Sequence, residues 1–411
     1  MRSGDIKALT GLRIVAAVWV VLFHFRPLLR DATPGFLDAL TPVLNCGAQG
    51  VDLFFILSGF VLTWNYLDRM GGSWSTRATL HFLWLRLARV WPVYLVTLHL
   101  AALWVIFTLH VGHVPSDEVY RFTAVSYVRQ VLLAQLWFQP FFDDSSWDGP
   151  AWSISAEWLA YLVFGLLVLV IFRMARATRA RNLVWLAVAA SLPPVVSLLV
   201  TGQFYTPWSW LPRIVMQFTA GALVAAAVGR LRLTDRGRHA AGYASVFLLA
   251  GVVGFLYWSD AHPLHGVSDT GGLVDILFVP LVLTLAIGTG SLPALLSTRP
   301  LVYGGQISFC LYMVHELVHT AWVWTTQQFE LTMLGNDGKL LLAAVLAVTF
   351  VGAAVLYHVV EEPARLWMRR MVGDGRPVVD AADPDAPAEG GKLQSIDGSQ
   401  EGRPKSISRA G

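Results

Sequence analysis

The chain has 411 residues, 55% of them hydrophobic and only 14% charged, and a positive mean hydropathy. A soluble domain of this composition could not cover its surface with polar groups, so the chain reads as a polytopic membrane protein. The net charge of +3 gives no sign of a nucleic-acid partner, and two cysteines far apart, Cys46 and Cys310, suggest neither a disulfide framework nor a metal site.

Apolar runs near the twenty residues needed to cross a bilayer fall at about 8–29, 48–67, 88–110, 152–172, 183–201, 210–229, 241–258, 273–289, 302–325 and 339–360. The first is too long for the apolar core of a cleaved signal peptide. Segment 124–141 is apolar on one side but carries Arg129, Gln130 and Gln135, which predicts an amphipathic helix lying at the interface. Segments 1–7 (Arg2 and Lys7), 68–90, 173–182 and 229–239 carry the basic residues, mostly arginine, whereas 111–150 is acidic and 202–209 carries no charge. This alternation predicts an all-α bundle of about ten transmembrane helices with both termini cytoplasmic. Were 124–141 to span, every later loop would change sides and the pattern would invert. Residues 1–372 read as one membrane domain without internal repeats. From about 373 the chain turns to Gly, Asp, Pro and Ser, a composition that predicts a disordered cytoplasmic tail, 373–411.

Ionisable residues inside spans are expensive and point to function. Arg13 and His24 lie eleven residues apart in the first span, so they share a helical face and are separated by about 16 Å along the axis. The predicted topology brings Asp52, near the start of the second span, and Glu157, at the head of WSISAEWLAYLVFG, to the depth of His24. A histidine with carboxylates beside it can be oriented and made a general base. Singly, each also has a structural account: a hydrogen-bonded core histidine, a helix cap at Asp52, a favourable dipole position at Glu157. Arg86 and Arg89, at i and i+3, share a face that suits phosphates or simply anchors the span. In the ninth run Ser308, Tyr312, His315 and His319 recur at helical spacing, with Glu316 expected to point elsewhere. HELVH at 315–319 matches a zinc pattern, but it lies within a span and no metal is expected.

In order along about 7–367, these residues resemble acyltransferase family 3, the bacterial membrane O-acyltransferases. The resemblance lies in Arg13 and His24 as Arg-x10-His, GVDLFFILSGF at 50–60, Arg86 and Arg89 followed by Pro92 and Tyr94, and WSISAE at 152–157. It continues in Arg213 of RIVMQFTAGALVA, in ISFCLYMVH ending at His315, and in Glu361, Pro363 and Arg365. KALTGLR departs from the family by lacking the acidic residue before its Leu-Arg pair.

The resemblance implies a multi-pass protein of the bacterial cytoplasmic membrane that moves a short acyl group, commonly acetyl, from acyl-coenzyme A to a hydroxyl. It implies donor binding at Arg13, Arg86 and Arg89, with His24 as general base or as an acyl-histidine, supported by Glu157 and Asp52. Arg213, Tyr312, His315 and Glu361 are further site candidates. Acceptors of sugar, glycolipid, polysaccharide or macrolide type fit, with membrane lipids around the chain and a separate partner that could finish transfer beyond the membrane. The alternative reading is a transporter or flippase, which should show inverted repeats.

Overall fold

With no water in a bilayer core, backbone N–H and C=O groups must bond within their own segment, a demand met by helices and closed barrels. The computed structural model of the chain describes residues 6–33, 35, 38–111, 122–143, 145–264, 267, 269–331 and 335–373. Among these residues the apolar runs form helices, and there is no strand. In chain order they are α1 (Lys7–Ala32), α2 (Thr41–Asn45), α3 (Gly50–Met70), α4 (Thr76–His110) and α5 (Ala124–Val131). Next come α6 (Trp152–Ala177), α7 (Ala180–Thr201), α8 (Trp210–Val228), α9 (Asp235–Ala261) and α10 (Phe278–Ile287). The last are α11 (Ser291–Leu296), α12 (Arg299–Gln328), α13 (Gly335–Leu356) and α14 (Glu362–Met371), with a π-helical turn, Tyr357–Glu361, joining the final two.

Among the described residues nine segments are long and apolar enough to cross a membrane, those built on α1, α3, α4, α6, α7, α8, α9, α10 and α13. The remaining expected span, 302–325, lies inside α12, a continuous helix of 30 residues. Its length suffices, and polarity sets it apart: Gln306, Ser308, Tyr312, His315, Glu316 and His319 all sit on it. Ser308, Tyr312 and His315 are buried, on a helix that packs along α1 and α13. Apart from residue 373, the expected tail lies outside the described residues.

The expected interfacial helix at 124–141 is shorter than its polarity pattern suggested. α5 ends at Val131, and Leu133 adopts a left-handed backbone with φ 58°. The chain then folds back on the bundle, and Gln130 and Gln135 point inward. The Tyr94 hydroxyl donates to Gln130 Oε1 at 2.8 Å, and Gln130 Nε2 donates to the Ser145 carbonyl at 3.0 Å. Trp91 Nε1 donates to the Val131 carbonyl, and Trp137 Nε1 to that of Ser155, both at 3.0 Å. These bonds lash the segment to α4 and α6.

Helices in lipid approach closely where small residues let their backbones meet. The extensive α3–α8 contact uses this device twice. A Cβ on Gly59 would run into the Phe218 carbonyl oxygen, and one on Gly221 into the Ile56 carbonyl oxygen. Gly251, on α9, has nothing within 4 Å of such an atom. An alanine in mid-helix normally gains up to about 1 kcal/mol over glycine. Gly251→Ala should therefore hold or raise the melting temperature in detergent, whereas Gly59→Ala or Gly221→Ala should lower it, overpacking costing about 1–3 kcal/mol. Equal melting of all three variants would contradict the close α3–α8 approach.

Candidate active site

α1 carries Arg13 and His24 along the face that meets α12. His24 Nδ1 lies 3.0 Å from the Val20 carbonyl oxygen and 3.2 Å from His315 Nε2. His315 Nδ1 lies 2.6 Å from the Tyr312 carbonyl oxygen. A carbonyl only accepts, so both Nδ1 atoms carry protons and His315 Nε2 accepts. The assigned tautomers leave the lone pair of His24 on Nε2, the form that can take a proton. His24 lines a cavity of about 540 Å³ walled by Trp104, Phe142, Trp147, Trp152 and Tyr205, and bounded also by Asp143, Asp148, Arg213, Tyr312 and Glu316.

At the other end of the bundle lies a cavity of about 480 Å³ lined by seven basic side chains: Lys7, Arg13, Arg69, Arg86, Arg89, Arg365 and Arg369. Among the described residues no carboxylate lines it. Glu361, fully buried in the π-helical turn, forms an ion pair with Arg89 and accepts from Cys310 Sγ at 3.1 Å. Such turns are rare and recur at functional sites. The Arg86 guanidinium lies 6.0 Å from the centre of the Tyr66 ring, and its Nε is buried with no hydrogen-bond partner. An unsatisfied buried cationic donor facing a basic cavity fits a bound anion.

A narrow space of about 80 Å³, the neck, lies between the two and shares lining residues with each. It shares Arg13, Arg86 and Arg89 with the basic cavity, and Val51 and Tyr312 with the aromatic one. Its other walls include Phe54, Phe55, Leu62, Val90 and Phe309.

Glu157 faces the interior, as its position in an apolar span demands, but it lies in the neck opposite the arginines. The Ser58 hydroxyl donates to it, and Tyr161 lies in the same neck. Glu157 and His24 thus line different cavities, and the expected support of the histidine by this glutamate gives way to the contact with His315. Asp52 is also placed differently. Arg213 Nε donates to Asp52 Oδ1 at 3.0 Å and Nη2 to Oδ2 at 2.6 Å, with both side chains buried. Arg213 also packs against Phe204, Tyr205 and Trp152, with ring centres 4.8, 5.3 and 5.5 Å from the guanidinium carbon. The Asp52 carboxylate is thus held by a bidentate pair that ties α3 to α8, and Asp52 lines none of the three spaces.

Glu316, expected to point elsewhere, adjoins the histidines. Ligand atoms of His24, His315 and Glu316 lie within 4.8 Å of one another, a group of the size that could hold a metal. The second histidine of HELVH is outside that group: His319 lies 3.4 Å from Glu316 Oε1, with its ring against Phe25. Asp148 escaped the sequence reading. It is 1% exposed, beside Gly149 and Pro150 at the head of α6, and burial pushes its carboxyl up to about 7. The run of Asp148 into Gly-Pro just ahead of a span was the signal available in the sequence.

A bundle of membrane helices with a basic cavity, a neck and a buried histidine pair fits a group-transfer enzyme of the membrane. The family model described as an acyltransferase domain (Acyl_transf_3) matches residues 6–358, and the chain belongs to that family. It is similar to the acyltransferase MdmB of Streptomyces mycarofaciens, with 28% identity over 92% of this chain and 95% of that protein. It also resembles Protein 2 in picA locus of Rhizobium radiobacter, with 30% identity over 48% of this chain and 94% of that one. No solved structure matches the chain. The protein is a multi-pass membrane acyltransferase acting on groups other than aminoacyl.

Removing one partner of a buried ion pair strands the other charge and costs about 3–5 kcal/mol. Asp52→Ala and Arg213→Ala should each lower thermal stability by that order, and the double variant by much less than their sum. Additive losses in a double-mutant cycle would show that the two side chains act independently.

Proposed function

We propose that this chain transfers a short acyl group, such as acetyl, from acyl-coenzyme A to a hydroxyl of a sugar, glycolipid, polysaccharide or macrolide-type acceptor. The observation that carries this reading is the succession of basic cavity, neck and aromatic cavity, with Arg13 in the lining of the first two and Tyr312 in that of the last two. Arg13, Arg86, Arg89, Arg365 and Arg369 hold the donor's phosphates, and Glu361 fixes the Arg89 guanidinium among them. The neck admits an extended arm and sheds its water. About 16 Å of α1 separates Arg13 from His24, the distance that arm must cover.

His24 Nε2 takes the acceptor hydroxyl's proton as its oxygen attacks the thioester carbonyl carbon; the C–S bond breaks, and the resulting imidazolium returns the proton to the thiolate. His315 and the Val20 carbonyl hold His24 in the required tautomer. Asp52 acts at a distance by fixing Arg213 in the wall of the acceptor cavity, and Glu157 with Ser58 sets the neck's polarity opposite the arginines. A neck of about 80 Å³ favours this reading over transport, because a lipid-linked sugar could not pass it without a large rearrangement. The alternation of arginine-rich and acidic loops puts the basic cavity on the cytoplasmic side of a bacterial plasma membrane.

Purified protein in nanodiscs, supplied with acetyl-coenzyme A and an extract of its host's glycans and lipids, tests the reading. His24→Ala should lower transfer about 10²–10⁴-fold with folding retained. Arg86→Ala should raise the KM for the donor with a smaller change in kcat. Wild-type turnover in folded His24→Ala, or an unchanged donor KM in Arg86→Ala, would refute the assignment.

A further inference from the structure

The basic and the aromatic cavity differ in their ionisable lining, and that of the aromatic one suits a positive group. Its charged lining is Asp143, Asp148, Glu316 and Arg213. Arg213 is already neutralised by the bidentate bond to Asp52, and no other arginine or lysine of this lining faces Asp148 and Glu316. Both carboxylate oxygens of Asp148 are buried without a hydrogen-bond partner, and so is Glu316 Oε2. The two side chains are neighbours across one glycine, since a Cβ on Gly149 would stand 3.6 Å from Glu316 Cγ. Asp148 precedes the short 3₁₀ helix Gly149–Ala151, yet its side chain makes no capping bond there. The helix start therefore leaves the Asp148 oxygens uncapped, with the Thr97 hydroxyl the nearby side-chain donor. Buried acceptors without donors cost about 1–3 kcal/mol each, and more when charged, unless a ligand supplies the donors. Trp104, Phe142 and Trp147 wall the same space, and the faces of aromatic rings attract cations. Glu316 also lies within 4.8 Å of the ligand atoms of His24 and His315, so a positive group seated there adjoins the base.

We propose that the aromatic cavity selects an acceptor that carries a protonated amine near the hydroxyl to be acylated, as an amino sugar does, with Asp148 and Glu316 as its counter-charges. The proposal rests on reading this cavity as the acceptor site. The ammonium donates to the orphaned carboxylate oxygens, the ring that bears it stacks on the indoles, and a neighbouring hydroxyl points at His24 Nε2. An anionic acceptor meets like charge in a water-poor site and is rejected.

Three methyl glycosides that differ only in ring charge test it: methyl β-D-glucosaminide, methyl β-D-glucoside and methyl β-D-glucuronide. Each is titrated against the full-length protein in nanodiscs by saturation-transfer NMR at pH 7, with empty nanodiscs subtracted. The glucosaminide should bind roughly ten- to a hundredfold tighter than the glucoside, the range of a charge-assisted hydrogen bond, and the glucuronide should not saturate. Asp148→Asn and Glu316→Gln should each bring the glucosaminide close to the glucoside while leaving coenzyme A binding intact. Equal affinities in the wild type, no saturable glucosaminide binding, or a preference unchanged in both folded variants would overturn the proposal. So would a stoichiometric metal held by His24, His315 and Glu316 in the purified protein. Donor binding and acyl transfer are measured on the same preparations. A failed acyltransferase reading then shows as absent transfer with amine selectivity intact, and a failed amine reading as transfer without selectivity.

Discussion

In hydrocarbon a charged side chain costs at least a few kcal/mol unless protein or trapped water surrounds it, so the arginines and carboxylates of these helices have to turn inward. The bundle is arranged around that constraint. Asp52 and Arg213 satisfy each other, and in doing so clamp α3 to α8 where Gly59 and Gly221 let the backbones touch. Arg89 and Glu361 do the same between α4 and the π-helical turn. Other polar groups, among them Arg86, Glu157, His24, Asp148 and Glu316, line the three neighbouring spaces.

The division of labour follows from charge. A cluster of guanidinium groups whose one neighbouring acid among the described residues, Glu361, is taken up by Arg89 suits phosphate. An aromatic chamber that holds the Asp148 and Glu316 carboxylates suits hydroxyls and amines, the acceptor groups proposed above. Between them lies the narrow neck, and in the proposed reaction it brings the thioester to His24. Its proton inventory is set locally, by one backbone carbonyl and a second imidazole, and needs no carboxylate in direct contact.

Much of this was legible in the sequence wherever the information was local. Helical spacing put Arg13 with His24 and Arg86 with Arg89, and the length of the apolar runs gave the spans. Pairings between distant residues were not legible. Asp52 meets Arg213 across 161 residues, and His24 meets His315 across 291. Equal depth suggested that Asp52 and Glu157 would converge on His24, but depth says nothing of which face each helix turns. Glu316 was misplaced because one residue step on α12 moves only about 100° around the axis. The broad face packed on α1 therefore takes in both His315 and its neighbour. The helix at 124–141 stops early because Gln130 finds Tyr94 and the Ser145 carbonyl, tertiary partners that its own periodicity could not reveal.

The central claim is that one path joins the arginines to His24. Cryo-electron microscopy of the protein with a non-transferable acetyl-coenzyme A analogue, its thioester sulfur replaced by methylene, tests it most directly. The path predicts phosphate density at Arg86, Arg89 and Arg365, an arm passing between Ser58 and Phe309, and the acetyl carbonyl beside Tyr312, close enough to His24 Nε2 for an acceptor oxygen, at about 3–3.5 Å from the carbonyl carbon, to touch both. Density for the arm outside the neck, or for the nucleotide away from the basic cavity, would contradict it.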